Sequence, residues 1–157
     1  KWDWITDLVD TLITKVNRNQ IRTQVRKSIG SKRKLFSEGS YMKGDPPFGY
    51  KLVYRKLEIQ ELNSEWVKKI YDWYLSGKST VWIRKELFIN EVKPPREKSD
   101  WFPLETIMNI PQNKNFIGID VYGDLTNECP KIIENDIFES VQKKTKLRVN
   151  RNKGTKV

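Results

Sequence analysis

Histidine is absent from the 157 residues, and cysteine occurs once, at Cys129. Without an imidazole there is no histidine general base and no Ser-His-Asp triad. One cysteine and no histidine cannot assemble a zinc site within one chain, so no metal is expected. A single thiol cannot close an internal disulfide, which fits a reducing, cytoplasmic setting. No apolar run approaches the roughly 18 residues of a membrane span, and no signal-peptide pattern opens the chain. Paired carboxylates, a nucleophile elbow and a phosphate-cradling Gly-rich loop are all missing, so neither a catalytic residue nor a cofactor is expected. Ser37, Ser40 and Tyr41 are the nucleophile-type residues nearest the basic stretch and read as linker hydroxyls. The chain opens on Lys1 rather than Met, which suggests a piece of a longer protein.

What is present is positive charge. Lys and Arg number 30 against 20 Asp and Glu, a net charge of +10, with 37% apolar residues. That balance favours a polyanionic partner, nucleic acid before an acidic membrane surface. The length suits one domain with appendages. Residues 1–38 hold no proline and one glycine, Gly30. Trp4, Leu8, Leu12 and Val16 recur at i, i+4 spacing beside Ile5, Val9 and Ile13, which predicts an amphipathic helix. Asp3 or Thr6 can cap its start. Apolar residues then thin out, and Arg18, Arg22, Arg26, Lys27, Lys32, Arg33 and Lys34 take over. From Val16 to Phe36 there is no acidic residue. A merely solvated helix face mixes both signs, so this stretch is assigned to phosphate contact.

Gly39 and Gly44-Asp45-Pro46-Pro47 end the helix and form a linker. Residues 48–54 and 57–59 read as a small hairpin. Asn63 is placed as the cap of a helix over about 64–76, with Val67, Ile70, Tyr71 and Tyr74 on one stripe and Trp66 and Trp73 beside it. Six aromatic residues lie between 66 and 88; at helical spacing they read as core rather than as platforms for stacked bases. Gly77 stops that helix, and Ser79 caps the next, about 80–90, in which Ile83 and Leu87 share a face. A polar loop with Pro94-Pro95 follows. Residues 116–122 alternate as a strand, Gly123-Asp124 looks like a turn, and the segment near Pro130-Lys131-Ile132 is expected to return beside the strand. A last helix starts at Glu134 or Asn135 and runs to about Lys144. The tail from Lys143 is basic and apolar-poor, and reads as a disordered linker or arm.

The segment after Pro103 carries the most information. On a wheel of about 100° per residue, Leu104, Ile107, Met108 and Pro111 fall within one arc. Glu105, Thr106, Asn109, Gln112 and Asn113 take the opposite side. Asn and Gln can bond adenine bidentately, and Thr can meet base edges or a thymine methyl. Pro111 disfavours a helical Ile110, so the regular helix is expected to stop near Asn109. A capped helix, a loop and a helix with a polar face form the outline of a helix-turn-helix, with a longer loop than the tight turn. The fold class expected is α+β: a long N-terminal helix, then a small helix-rich domain with a helix-turn-helix-like core and short β-hairpins. The division expected is 1–38 long helix, 39–47 linker, 48–145 DNA-binding domain and 146–157 basic tail. Candidate backbone-binding residues are the seven cations of the first helix together with Lys43, Lys78, Ser79, Arg84 and Lys114. Candidate base-reading residues are Glu105, Thr106, Asn109, Gln112 and Asn113.

At Gly44-Asp45-Pro46-Pro47-Phe48-Gly49-Tyr50 the chain resembles the large serine recombinases of phages and mobile elements. Their long catalytic-domain helix leads through a glycine-bearing segment into a Pro-Phe/Tyr-Gly-Tyr motif. Leu62-Asn63, Ile70-Tyr71-Asp72-Trp73-Tyr74 and Gly77-Lys78-Ser79-Thr80 are similar to the following family helices. So are Trp101 with Thr106, Ile107 and Ile110, then Asn113-Lys114-Asn115-Phe116-Ile117-Gly118. Cys129-Pro130-Lys131-Ile132-Ile133 and Phe138-Glu139-Ser140-Val141-Gln142 continue the order. The family's usual Ala is Arg84 here, its turn glycine falls near Glu91, and its Pro after Asn113 is Lys114.

The resemblance implies sequence-specific binding of double-stranded DNA at attachment sites, in a bacterial cytoplasm on the nucleoid. It implies a parent enzyme with a separate serine-bearing domain and a zinc ribbon, dimeric on each site and tetrameric at synapsis. No small-molecule ligand and no membrane is implied. The competing readings are a stand-alone helix-turn-helix regulator or excision factor, a single-strand or RNA binder using its aromatics, and an interaction module docking through helix 2–16.

Overall fold

A computed structural model describes residues 3–95 and 100–153. Helix α1, Asp3–Ser37, is one unbroken run of 35 residues. It ends in a Schellman motif: the Gly39 amide donates to Phe36 O at 2.8 Å and the Ser40 amide to Leu35 O at 3.0 Å, with Gly39 at φ 89°. Strands β1 (Tyr50–Val53) and β2 (Lys56–Ile59) pair antiparallel, Tyr50 opposite Ile59. Their two-residue turn, Tyr54-Arg55, has positive φ at both positions, 46° and 63°, without glycine.

Helix α2, Glu61–Leu75, starts earlier than its sequence pattern predicts. Gln60 occupies the cap position and its side chain makes no cap bond. Asn63, expected as the cap, lies in the first turn and donates to Gln60 Oε1 at 2.9 Å. Gly77 closes α2 as expected, through a second Schellman pair, Gly77 N to Tyr74 O and Lys78 N to Trp73 O. Helix α3, Thr80–Ile89, is capped as predicted: Ser79 Oγ accepts from Trp82 N at 3.1 Å. Its C-terminal end repeats the Schellman bonds, but with Glu91 at φ 55° where a glycine is favoured.

Helix α4, Leu104–Asn109, is only six residues long. A 3₁₀ turn, Ile110–Gln112, continues it, with Ile110 in right-handed helical geometry despite the proline that follows. A second 3₁₀ turn covers Lys114–Ile117 and takes in the first two residues of the strand expected over 116–122. Strand β3 is therefore short, Ile119–Tyr122, and pairs with β4, Leu125–Glu128, directly across the Gly123-Asp124 turn. Pro130–Ile132, expected beside β3, forms no strand; instead the Ile132 and Ile133 amides each donate to Phe116 O at 2.9 Å. Helix α5 runs from Asn135 to Lys153, through much of the stretch read as a disordered tail. No Gly or Pro interrupts 135–153, and Lys, Arg and Leu are good helix formers.

One core joins α2, α3, α4 and α5. Val67, Ile70 and Tyr71 of α2, Ile83 and Leu87 of α3, Ile107 of α4 and Val141 of α5 are all fully buried. Burying such a side chain contributes about 1.5–3 kcal/mol. The three tryptophans read as core are half-buried and pack on one another, Trp73 edge-on to Trp82 at 5.5 Å. Lys69 lies over the Trp66 ring and Lys78 over the Trp82 ring, at 3.9 and 4.6 Å. The motif glycine Gly49 sits at φ 94° against this core. A Cβ there would meet Val67 Cγ2 at 2.8 Å, so the close approach of the β1 entry to α2 requires glycine.

Candidate nucleic-acid interface

Helix α4 is too short to hold its own orientation, and other elements fasten it from behind. Tyr74 Oη donates to Ile107 O at 3.1 Å and Tyr71 Oη to Ile110 O at 3.0 Å, both from α2. From α5, Gln142 Nε2 donates to Pro111 O at 2.7 Å. These are carbonyls at the helix end: Ile107 O has no amide four residues on, because that residue is Pro111, and Ile110 O accepts in addition from the Asn113 amide at 3.2 Å. Burial pushes the Tyr71 hydroxyl's pKa well above its ordinary value, so it stays a donor. A buried tyrosine hydroxyl calls for an acceptor; Tyr71 and Tyr74 on a core stripe carried that signal in the sequence, whereas Gln142 carried none.

The buried arc of α4 is turned from the one the wheel predicts. Ile107, Ile110 and Pro111 face inward, whereas Met108 is 53% exposed and Leu104 lies at the surface. The outward face therefore carries Leu104, Glu105, Met108, Asn109 and Gln112. Of the residues predicted to read bases, Thr106 is half-buried. Asn113 has a structural duty: its Oδ1 accepts from Asn115 N at 3.0 Å and caps the second 3₁₀ turn. Gln112 Nε2 lies 3.4 Å from Met108 O. The outward face thus mixes hydrogen-bonding amides with an exposed thioether and a leucine.

The cations predicted to hold phosphates divide into groups. On α1, Arg18, Arg22, Arg26 and Arg33 fall within an arc of about 80°, and Lys15 shares it. Lys27 and Lys34 lie on another face, and Lys32 borders the arc about 40° beyond Arg18. Residues 6–32 are exposed throughout. Arg33 is engaged at the near end of the stripe: Nη1 and Nη2 reach Asp124 Oδ1 and Oδ2 at 2.5 and 3.0 Å. This pairing raises the Arg33 pKa and holds the Asp124 carboxyl below its usual range, by the hydrogen bond first. Phe36, fully buried, meets the Tyr122 ring at 5.5 Å, and Asn127 Nδ2 donates to Phe36 O at 2.5 Å. The β3–β4 hairpin thus grips the last turn of α1.

Lys43, partly exposed, is paired within the chain. Its Nζ lies 2.6 Å from Asp120 Oδ1, a carboxylate 4% exposed, and 3.3 Å from Asn115 Oδ1. Asn115 Nδ2 donates to the same Asp120 oxygen at 3.1 Å, and Tyr50 Oη donates to Asn115 O at 2.7 Å. Burial, with the nearby Asp120 and Asp45 charges, pushes the Tyr41 hydroxyl up to about 12. Burial likewise raises the Cys129 thiol. This buried cluster ties the linker to β3, which the sequence did not reveal because its members lie far apart in the chain.

Of the remaining candidates, Lys78, Ser79 and Arg84 lie at or in α3, and Lys114 opens the second 3₁₀ turn. Ser79 is the cap of α3, Lys78 covers Trp82, and Lys114 is exposed. Arg84, half-buried, sets its guanidinium 5.0 Å from the Trp101 ring centre, and Trp101 stacks on Phe88 at 4.0 Å. Arg84 Nε is buried without a hydrogen-bond partner among the described residues. Among those residues no group of His, Cys, Asp and Glu has the arrangement of a metal site, and no helix is long and apolar enough to cross a membrane.

Two solved structures share this fold. One is a crystal structure of a large serine recombinase (LSR)–DNA complex, 22% identical, with a TM-score of 0.62 over 77% of this chain and 38% of that one. The other comes from work on the sequence requirements of the Listeria innocua prophage attP site, 22% identical, with a TM-score of 0.61 over 76% of this chain and 51% of that one. The chain therefore spans between about two-fifths and half the length of these proteins. No curated protein matches it. The family described as Recombinase matches residues 61–148, more than half of the chain, and the chain belongs to that family.

Proposed function

We propose that this chain is the site-recognition part of a large serine recombinase and binds duplex DNA at an attachment site. The observation that carries the reading is the fastening of α4. A six-residue helix bound from behind by Tyr71, Tyr74 and Gln142 turns Glu105, Met108, Asn109 and Gln112 outward. Asn109 and Gln112 present amides to base edges in the major groove, and Met108 and Leu104 present apolar surface to thymine methyls. The arginine stripe of α1 holds phosphates, which supplies affinity without sequence choice. Lys27, Lys32, Lys34, Lys78, Arg84 and Lys114 add to that field.

In this reading residues 1–38 are the end of a long catalytic-domain helix, 39–47 the linker, 48–145 the DNA-binding domain and 146–157 a basic extension. Strand cleavage through a serine belongs to another part of the parent enzyme, which works as a dimer on each site and a tetramer at synapsis, in the bacterial cytoplasm. Single-strand stacking is the weaker reading, because lysines already cover the outer tryptophan rings of α2 and α3.

The test is selection from a random duplex pool by fluorescence anisotropy and sequencing of the bound fraction at near-physiological salt. Recovery of a defined half-site is expected. Salt-sensitive retention without enrichment would leave only the electrostatic contribution and overturn the assignment of α4.

A further inference from the structure

The Arg33–Asp124 pair has an unusual position. Arg33 continues the face of α1 that carries Arg18, Arg22 and Arg26, about 22 Å from Arg18 along the helix. Those three have no ion pair among the described residues, whereas Arg33 is held by both oxygens of one carboxylate. The pair lies open to water, with side chains 43% and 70% exposed, so salt screens it and it contributes little to the fold. The joint between α1 and the hairpin does not depend on it, since Phe36–Tyr122 and Asn127–Phe36 O hold the same place.

We infer that Asp124 is a stand-in for a DNA phosphate: its carboxylate occupies the Arg33 fork until a duplex lying along the α1 stripe takes that fork over. A carboxylate and a phosphate offer a guanidinium the same two-oxygen edge. The inference rests on the phosphate-binding role proposed for the stripe. Asp124 is carried at the tip of a hairpin, on the Gly123-Asp124 turn, so it can leave Arg33 without disturbing the core. Once released, it stands beside the bound phosphates as a like charge. Asp124 therefore weakens binding to every duplex, whatever its sequence, and does so through Arg33.

The experiment is a double-mutant cycle on the full chain, with Asp124→Asn, Arg33→Ala and the double variant titrated against a random-sequence duplex over a range of salt. Asparagine suits the same turn position. Asp124→Asn is expected to tighten binding about three- to tenfold. Arg33→Ala is expected to weaken it and to lower the salt slope by about one. The deciding result is the coupling: in the Arg33→Ala background, Asp124→Asn is expected to gain almost nothing. An equal gain in both backgrounds would mean plain repulsion between Asp124 and DNA, and would overturn the exchange, as would no gain at all. Failure of the wild-type chain to bind any duplex would remove the proposed function along with this inference. Duplex binding by the wild type without the coupling would remove this inference alone.

Discussion

The chain holds two helices that meet opposite physical demands. α1 is 35 residues long, is gripped near its C-terminal end by the β3–β4 hairpin, and is exposed from residue 6 to residue 32. α4 is six residues long, has a fully buried isoleucine, and is tied to α2 and α5 by three hydrogen bonds around its end. Phosphate contact needs charge spread along a line and tolerates small displacements. Reading a base edge needs a donor or acceptor fixed within a fraction of an ångström. Under the proposed function the two helices match these demands: within this chain the long helix has no tertiary packing over most of its length, and the short one is packed and bonded on the side away from solvent.

The sharpest way to break this comparison is to remove one apolar side chain from each helix. Ile107→Ala on α4 empties a fully buried site and is expected to cost about 2–5 kcal/mol in urea unfolding. Leu12→Ala on α1, at a position 52% exposed, is expected to stay within about 0.5 kcal/mol. Comparable losses would mean that α1 and the domain share one core.

Next in size is the fastening itself. Tyr71→Phe keeps the ring and removes the donor to Ile110 O, which retains only the Asn113 amide at 3.2 Å, at an expected cost of about 0.5–1.5 kcal/mol by thermal unfolding. Discrimination between duplexes is expected to fall further than the affinity for random DNA, because α4 is loosened while the α1 stripe is untouched. An equal loss on both would show that Tyr71 supports the fold and not the reading face.

How far these two helices were legible in the sequence follows the same divide. The α1 helix, its basic stretch, the Ser79 cap and the Gly77 stop were all written in local order, because periodicity and capping act over a few residues. Missed in α1 was a second apolar row, Ile21, Val25 and Ile29, each about half exposed; the run of cations around it hides the spacing. For α4 a wheel ranks arcs by residue type alone, and Leu104 and Met108 passed for core while Ile110 went unassigned. The neighbours decide which arc is buried, and those are Tyr71, Tyr74 and Gln142, more than 30 positions away. The strand expected at 116–117 failed for a similar reason: Asn113 caps a 3₁₀ turn that the apolar alternation does not reveal. The ion pairs of Arg33 and Lys43 were not legible because their carboxylate partners lie 91 and 77 positions further on.

A direct functional contrast comes from one residue on each helix. Asn109→Ala is expected to relax choice at one base pair by about 1–3 kcal/mol and to leave binding to random duplex and its salt slope in place. Arg22→Ala is expected to weaken all duplexes alike and to lower the salt slope by about one. Competition titrations with matched and mismatched duplexes at two salt concentrations separate the two. Identical behaviour of the two variants would abolish the division of labour.

The smallest effect is also the most local. Gly30 lies inside α1 with open space where a Cβ would stand, a few residues before the Arg33–Phe36 grip. Glycine within a helix costs about 1 kcal/mol relative to alanine, because its unfolded backbone has more freedom to lose. Gly30→Ala is therefore expected to strengthen α1 alone, by up to about 1 kcal/mol. Amides near residue 30 should exchange more slowly and the helical circular dichroism should rise, with the unfolding midpoint of the domain unchanged. Gly30 is the one glycine of α1 and helix propensity acts locally, so the gain should fade beyond a few turns on either side. A shift of the domain midpoint would instead show that order in α1 reaches the core through Phe36, making the two regions one cooperative unit.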